Sequence, residues 1–300
     1  MKSGKFAAVA AACKRRLLTQ FKKRLWKVKL LKVADTKDVS ILVEQYEQSM
    51  HKDYVWAIFW SIMTRLYNQE STWDAFEQAK VFPLGAASPN WRALRVVLDK
   101  LYSAAAASGT SQSKPSKKGK VQSKLSKKVK VHGALYRHPK LRAFRASAKA
   151  EWTRMDLQQT TRAARDVICL QLLWKALPVD KVRAYQENPT RETFSAWYDE
   201  FMEKTNATIK GFGDYMMKVS LDPLVATGVC ACDTLSRWPE NCDGYKKYLA
   251  ILYGRTGKTD TLGCLYHLHY SVSHEHGFNL SDAAAQLCWA KRRDNRALRD

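Results

Sequence analysis

An aspartate followed by threonine, Asp233-Thr234, stands twenty residues beyond the second glycine of Lys210-Gly211-Phe212-Gly213. A carboxylate can accept a proton from water or stabilise a neighbouring cation, and it can equally cap a helix beginning at Thr234-Leu235-Ser236. Two glycines around an aromatic residue, followed by the apolar positions Tyr215, Met216, Val219 and Leu221, predict a tight backbone turn opening a helix. Amides at such a helix start, reinforced by the helix dipole, hold phosphate oxygens. Lys210 and Lys218 flank the turn and would add charge. This combination suits a nucleic-acid backbone lying beside a carboxylate.

The residues Ile209-Lys210-Gly211-Phe212-Gly213 and Asp233-Thr234 resemble the hairpin and the catalytic aspartate of the helix-hairpin-helix DNA glycosylase superfamily. The resemblance covers residues 205–237. It implies that Gly211 and Gly213 contact phosphate and that Asp233 is the catalytic group. Base excision or base modification on a flipped nucleotide would follow. The position of the Schiff-base lysine of lyase-type members is Tyr215, which implies monofunctional chemistry. Lys210 replaces the family's proline, Met217 stands where a small residue packs, and Pro223 interrupts the next helix.

Two other constellations carry less. Cys230, Cys232, Cys242, Cys264, His267, His269, His274 and His276 gather late in the chain. Cys264, His267 and His274 share a helical face and could bind zinc with Cys230 or Cys242. No Cys-x-x-Cys is present, so buried thiols beside a histidine-bearing helix are the favoured reading, and no metal or cofactor is assigned. Gly254-Arg255-Thr256-Gly257-Lys258-Thr259 ends like a phosphate-binding loop but has two residues between its glycines where four are needed. It reads as a helix–helix connection.

Charge is unevenly distributed. The chain of 300 residues has a formal net charge of +23, yet residues 1–34 carry eleven Lys/Arg and no acid, and residues 100–150 carry fourteen and no acid. The remainder is near neutral, the layout of phosphate-binding arms on a globular body. An acid-free start with Lys14-Arg15-Arg16 and Lys22-Lys23-Arg24 is that of a transit peptide or of a basic helix lying on nucleic acid. Around Ser113-Lys114, Ser116-Lys117-Lys118 and Ser126-Lys127-Lys128 the composition predicts a disordered basic linker. Its continuation interleaves Tyr136 and Phe144 with Arg137, Lys140, Arg142 and Arg145, as stacking plus phosphate contact requires. Seven cysteines at irregular spacing point to an intracellular reducing compartment, here nucleus, mitochondrion or plastid. No run of apolar residues is long enough to span a membrane.

The elements that would position these groups are helical throughout. From Asp38 the apolar residues recur at helical spacing, with a break near His51-Lys52-Asp53. Ser71 with Asp74 suggests a capping box, and Ser88-Pro89 a helix start. Trp56, Phe59, Trp60 and Trp73 fit a core better than a stacking platform. In the second half, Pro178 ends one helix, Asp180 caps a short one, and Asn188-Pro189 starts another. The expectation is an all-α protein in four parts: a basic segment at 1–34, a helical module at 35–102, a linker at 103–150 and a helical domain at 151–300. Its expected partner is DNA or RNA, with no membrane; protein partners are left open. A non-catalytic component of an organellar ribonucleoprotein is the rival reading.

Overall fold

The computed structural model describes residues 3–20, 37–48, 53–67, 69–83, 86–110, 161–209, 212–229 and 243–273, with 280, 282–284 and 287. Every regular element among them is a helix, as the apolar spacing predicts. In chain order these are α1 (Ser3–Ala12), α2 (Lys37–Gln48), α3 (Tyr54–Leu66), α4 (Glu70–Gln78), α5 (Trp91–Thr110), α6 (Arg162–Ala176), α7 (Val179–Glu187), α8 (Arg191–Thr208), α9 (Asp214–Ala226), α10 (Asp243–Tyr253), the single turn α11 (Thr256–Thr259) and α12 (Thr261–Leu268), which runs into a π-turn at His269–Ser273. They form two compact units, a central one of residues 41–213 and a terminal one of residues 1–40 with 214–300.

In the central unit, burial of aromatic side chains holds the helices together. Asp53 caps α3 by accepting the Val55 N–H at 2.7 Å, at the break that the sequence marks. Phe59 and Trp60 of α3 are buried, and Trp56 meets Trp174 of α6 with centroids 4.7 Å apart. Trp73 stacks on Phe82 at 5.6 Å and donates its indole N–H to the Tyr67 carbonyl at 2.7 Å. These aromatics are therefore core. Tyr185 of α7 packs against Phe194 and Trp197 of α8, centroids 5.8 and 6.3 Å away. Each such ring removes area worth about 1.5–3 kcal/mol from water.

A buried polar group ties α6 to this core. The Asp166 carboxylate, wholly buried, accepts the hydroxyl of Tyr102 from α5 and, at 3.5 Å, that of Tyr67. Thr161 caps α6 and donates its hydroxyl to Asp99 at 2.9 Å. The helices on either side of the low-complexity stretch thus pack on each other inside one unit. The division expected at 103–150 is drawn elsewhere, because a composition break marks where burial stops and leaves open where the chain returns.

Several caps differ from the sequence reading. No side chain caps α4, which starts at Glu70, so the Ser71–Asp74 box is not formed. Asn90, two residues past Ser88, accepts the Ala93 N–H at 3.1 Å ahead of α5. Pro178 precedes α7 with Asp180 inside its first turn, and Thr190 with Thr193 forms the capping box of α8. At α5 and α8 the side-chain oxygen that reaches a free amide belongs to a neighbour of the residue chosen by type, whereas no side chain caps α4 or α7.

The terminal unit has its own core: Tyr248, Leu249, Leu252 and Tyr253 of α10, Cys264, Leu265 and Leu268 of α12, and Leu280, Ala284 and Leu287. Val9 and Cys13 from the N-terminal segment are buried in the same cluster. The Lys14 N–H donates to the Leu252 carbonyl at 2.8 Å, fixing the end of α1. Residues 3–14, the described start of the stretch with transit-peptide composition, are thus part of the packed unit. Gly254 ends α10 in the left-handed region, φ +61°. A Cβ on Gly257 would lie 2.2 Å from the Leu249 carbonyl oxygen, so that glycine lets α11 approach α10. Asp260 caps α12 through the Gly263 N–H at 2.9 Å. The Gly254–Thr259 stretch is accordingly a tight helix–helix connection.

Candidate nucleic-acid interface

The turn at Phe212-Gly213 follows α8, whose last turn closes with the Ile209 N–H on the Thr205 carbonyl at 2.7 Å. Phe212 is buried with its ring edge-on to Phe201, centroids 6.3 Å apart. The chain then enters α9 at Asp214. Gly213 does not adopt a left-handed angle, and a Cβ built there meets nothing within 4 Å. The backbone conformation that would make glycine obligatory at this position is therefore absent. Asp214 also puts a carboxylate in the first turn of α9, complementing the dipole that a phosphate would otherwise use. Helices α8 and α9, which the resemblance joins into one motif, belong to different units.

Lys218 lies on α9. Its side chain is buried and its amine donates to the Asp222 carboxylate at 2.9 Å, one turn along α9. An enclosed amine that is already paired is not available to a phosphate in solution. The i,i+4 spacing of Lys218 and Asp222 was the signal in the sequence. Pro223 sits within α9, which continues to Ala226, because a proline forfeits a single helical hydrogen bond. Lys210, Gly211, Asp233 and the basic residues Arg137, Lys140, Arg142 and Arg145 lie outside the described residues.

Among the late cysteines and histidines, Cys264 is buried and unbridged. Burial, then the neighbouring Asp260 and Cys13, push its thiol up to about 12. A thiol held protonated is a poor metal ligand and a poor nucleophile. His267 shares a hydrogen bond through Nδ1 with the Tyr253 hydroxyl at 2.9 Å, and burial lowers its pKa. Tyr253 is pushed up, first by burial and then by Cys13 and Cys264 beside it. Its hydroxyl therefore keeps its proton. No group of three side chains that could hold a metal occurs among the described residues; His274 lies outside them.

One feature escaped the sequence reading. Phe6 of α1 lies 5.5 Å from the His267 ring and 6.1 Å from that of Tyr270, which it meets edge-on at 89°. Tyr270, in the π-turn, is 67% exposed. The spacing of Phe6, Val9 and Cys13, three then four residues, was the available signal that α1 docks on a partner helix. Comparison with protein-family models, with curated proteins and with solved structures finds no match. Among the described residues no helix is long and apolar enough to cross a membrane.

Proposed function

We propose that this protein binds nucleic acid through phosphate contacts. The observation that supports the reading is the distribution of charge: the two acid-free stretches, 1–34 and 100–150, hold eleven and fourteen of the 51 basic residues, against a near-neutral remainder. Segregated cations of this density neutralise phosphates and release counterions, which supplies most sequence-independent affinity. Arginine and lysine interleaved with Tyr136 and Phe144 add stacking groups to the second stretch.

The test is equilibrium binding of the purified chain to single-stranded DNA, single-stranded RNA and duplexes of each, titrated with salt. Binding that weakens steeply with salt supports the reading, and no binding to any of the four refutes it. Base release from the same oligonucleotides, present in the native protein and lost in Asp233→Asn, would extend the reading to the excision chemistry that the glycosylase resemblance implies.

A further inference from the structure

Resting on that reading, we propose that Lys14, Arg15 and Arg16 form a fixed phosphate-binding corner on the terminal unit, and that α1 is the anchor that holds it there. The three cations stand at a joint between two helical stretches, α1 and residues 15–20. Apolar side chains on both sides of the joint are taken up by the unit. Val9 and Cys13 belong to its buried core, and Leu17 and Leu18 pack against that core partly buried. The backbone of the joint is pinned as well: the Cys13 N–H donates to the Ala10 carbonyl at 3.2 Å and the Lys14 N–H to the Leu252 carbonyl at 2.8 Å. The Leu18 N–H then donates to the Lys14 carbonyl at 3.0 Å. Lys14, Arg15 and Arg16 are thus consecutive residues on a backbone fixed from both sides, and all three are exposed.

Among the described residues no carboxylate pairs with any of them, and the sequence supplies no acid from residue 1 to residue 34. In the central unit, by contrast, exposed Lys181 and Lys204 both meet Glu200 at 2.6 Å, and Arg183 meets Asp53. Exposed cations there without a carboxylate, such as Arg92, Lys175 and Arg191, stand singly along the chain. Three like charges held within one turn repel one another, and an anion that enters relieves the repulsion. The arginine fork takes phosphate oxygens two at a time and lysine adds a point charge. Because the backbone is already fixed, binding orders side chains only, at a lower entropy cost than a free arm would incur. Contacts of this kind go to the phosphates and carry no base preference. An anionic lipid surface fits less well, because a membrane-seeking helix presents apolar residues beside its cations and here Leu17 and Leu18 pack on the core.

The experiment uses the full-length chain and three probes: an oligothymidine of roughly sixteen nucleotides and an abasic strand of equal length, read by fluorescence anisotropy, and phosphatidylserine vesicles, read by co-sedimentation. The triple variant Lys14→Gln, Arg15→Gln, Arg16→Gln loses three contacts at about 0.7 each, so its salt slope should flatten by about 2 and its affinity fall by up to about a hundredfold at about 0.1 M salt. The loss should be the same on both strands. A control of equal charge, Arg92→Gln, Lys175→Gln, Arg191→Gln, should change the slope by less than about 0.7. Val9→Asn keeps the net charge and loosens the anchor: Cys13 should become reactive to maleimide by peptide mapping, and affinity should fall roughly tenfold with the slope kept. The triple variant alters only exposed side chains, so its test stands whatever Val9→Asn does to folding. A triple variant that binds as the control does overturns the corner and leaves the broader reading standing. So does a loss confined to oligothymidine or to vesicles. Native affinity in Val9→Asn with a reactive Cys13 overturns the anchoring role, and a native chain that binds neither strand overturns the corner and the broader reading together.

Discussion

Gly257→Ala sets two physical effects against each other. On helix propensity alone, alanine in the short turn α11 gains about 1 kcal/mol. The structure predicts the opposite sign. The new methyl would sit 2.2 Å from the Leu249 carbonyl oxygen, 2.3 Å from its carbon and 2.7 Å from the Ala250 nitrogen. Favourable contact requires about 3.5 Å or more, so over 1 Å must be found. The clashing atoms are backbone, and no rotamer change can move them. Relief requires α10 and α11 to separate, which loosens the core around Leu249 and Leu252. Overpacking of this kind costs about 1–3 kcal/mol or more, and loss of backbone approach puts this case at the upper end. A cost of about 3 kcal/mol lowers the melting temperature by roughly 6–12 °C in a chain of this size. The control is Gly213→Ser, where a Cβ meets nothing within 4 Å and serine favours the position just before a helix. It should melt within about 1 °C of the native protein and bind nucleic acid equally well. Thermal circular dichroism and anisotropy measure both. Native-like melting of Gly257→Ala would refute the steric argument, and lost binding in Gly213→Ser would restore the glycine turn as a phosphate site.

Removing the Asp166 carboxylate with Asp166→Ala should cost about 2–4 kcal/mol in urea unfolding, because the Tyr102 and Tyr67 hydroxyls lose their buried acceptor; a cost below about 0.5 kcal/mol would contradict it. Asp222→Ala should destabilise by about 3–5 kcal/mol by stranding the Lys218 amine, while the double variant Lys218→Met with Asp222→Leu should recover most of that loss. If Lys218→Met instead weakens nucleic-acid binding without loss of stability, the amine is not confined to the pair. His267 has its folded pKa below the unfolded value of about 6.5, so below that pH the unfolded chain takes up the proton more readily. Stability should be full above about pH 6.5 and decline as pH falls toward the folded value. His267→Gln should remove that part of the decline between melts at about pH 7.5 and 5.5, and an identical decline in the variant would refute the assignment.

What the sequence makes legible follows from the range of the physics involved. Helices repeat every 3.6 residues, so the stripes on α3 and α8 and the core role of Phe59, Trp60 and Trp73 can be read locally. The contact of Asp166 with Tyr102 spans 64 residues and a charge-rich stretch, and nothing local announces it. The glycines show the same limit. Gly-Phe-Gly at 211–213 has the look of a functional turn, yet among the described glycines the one with backbone against it is Gly257, whose role depends on where α10 lies. Lysines also differ by context that residue type hides: Lys218 is enclosed with Asp222, whereas Lys5 and Lys14 lie on the surface because Val9 and Cys13 take the inward positions.

The central claim is that segregated basic residues bind phosphates, and the salt dependence of affinity tests it most directly. The measurement compares the native chain with a variant whose Lys and Arg between residues 114 and 149 are replaced by glutamine. Each lost phosphate contact should flatten the slope of log affinity against log salt by about 0.7 on a single strand or 0.9 on a duplex. Helical content should be unchanged. A slope several units shallower in the variant is the predicted result, and identical slopes would contradict the account.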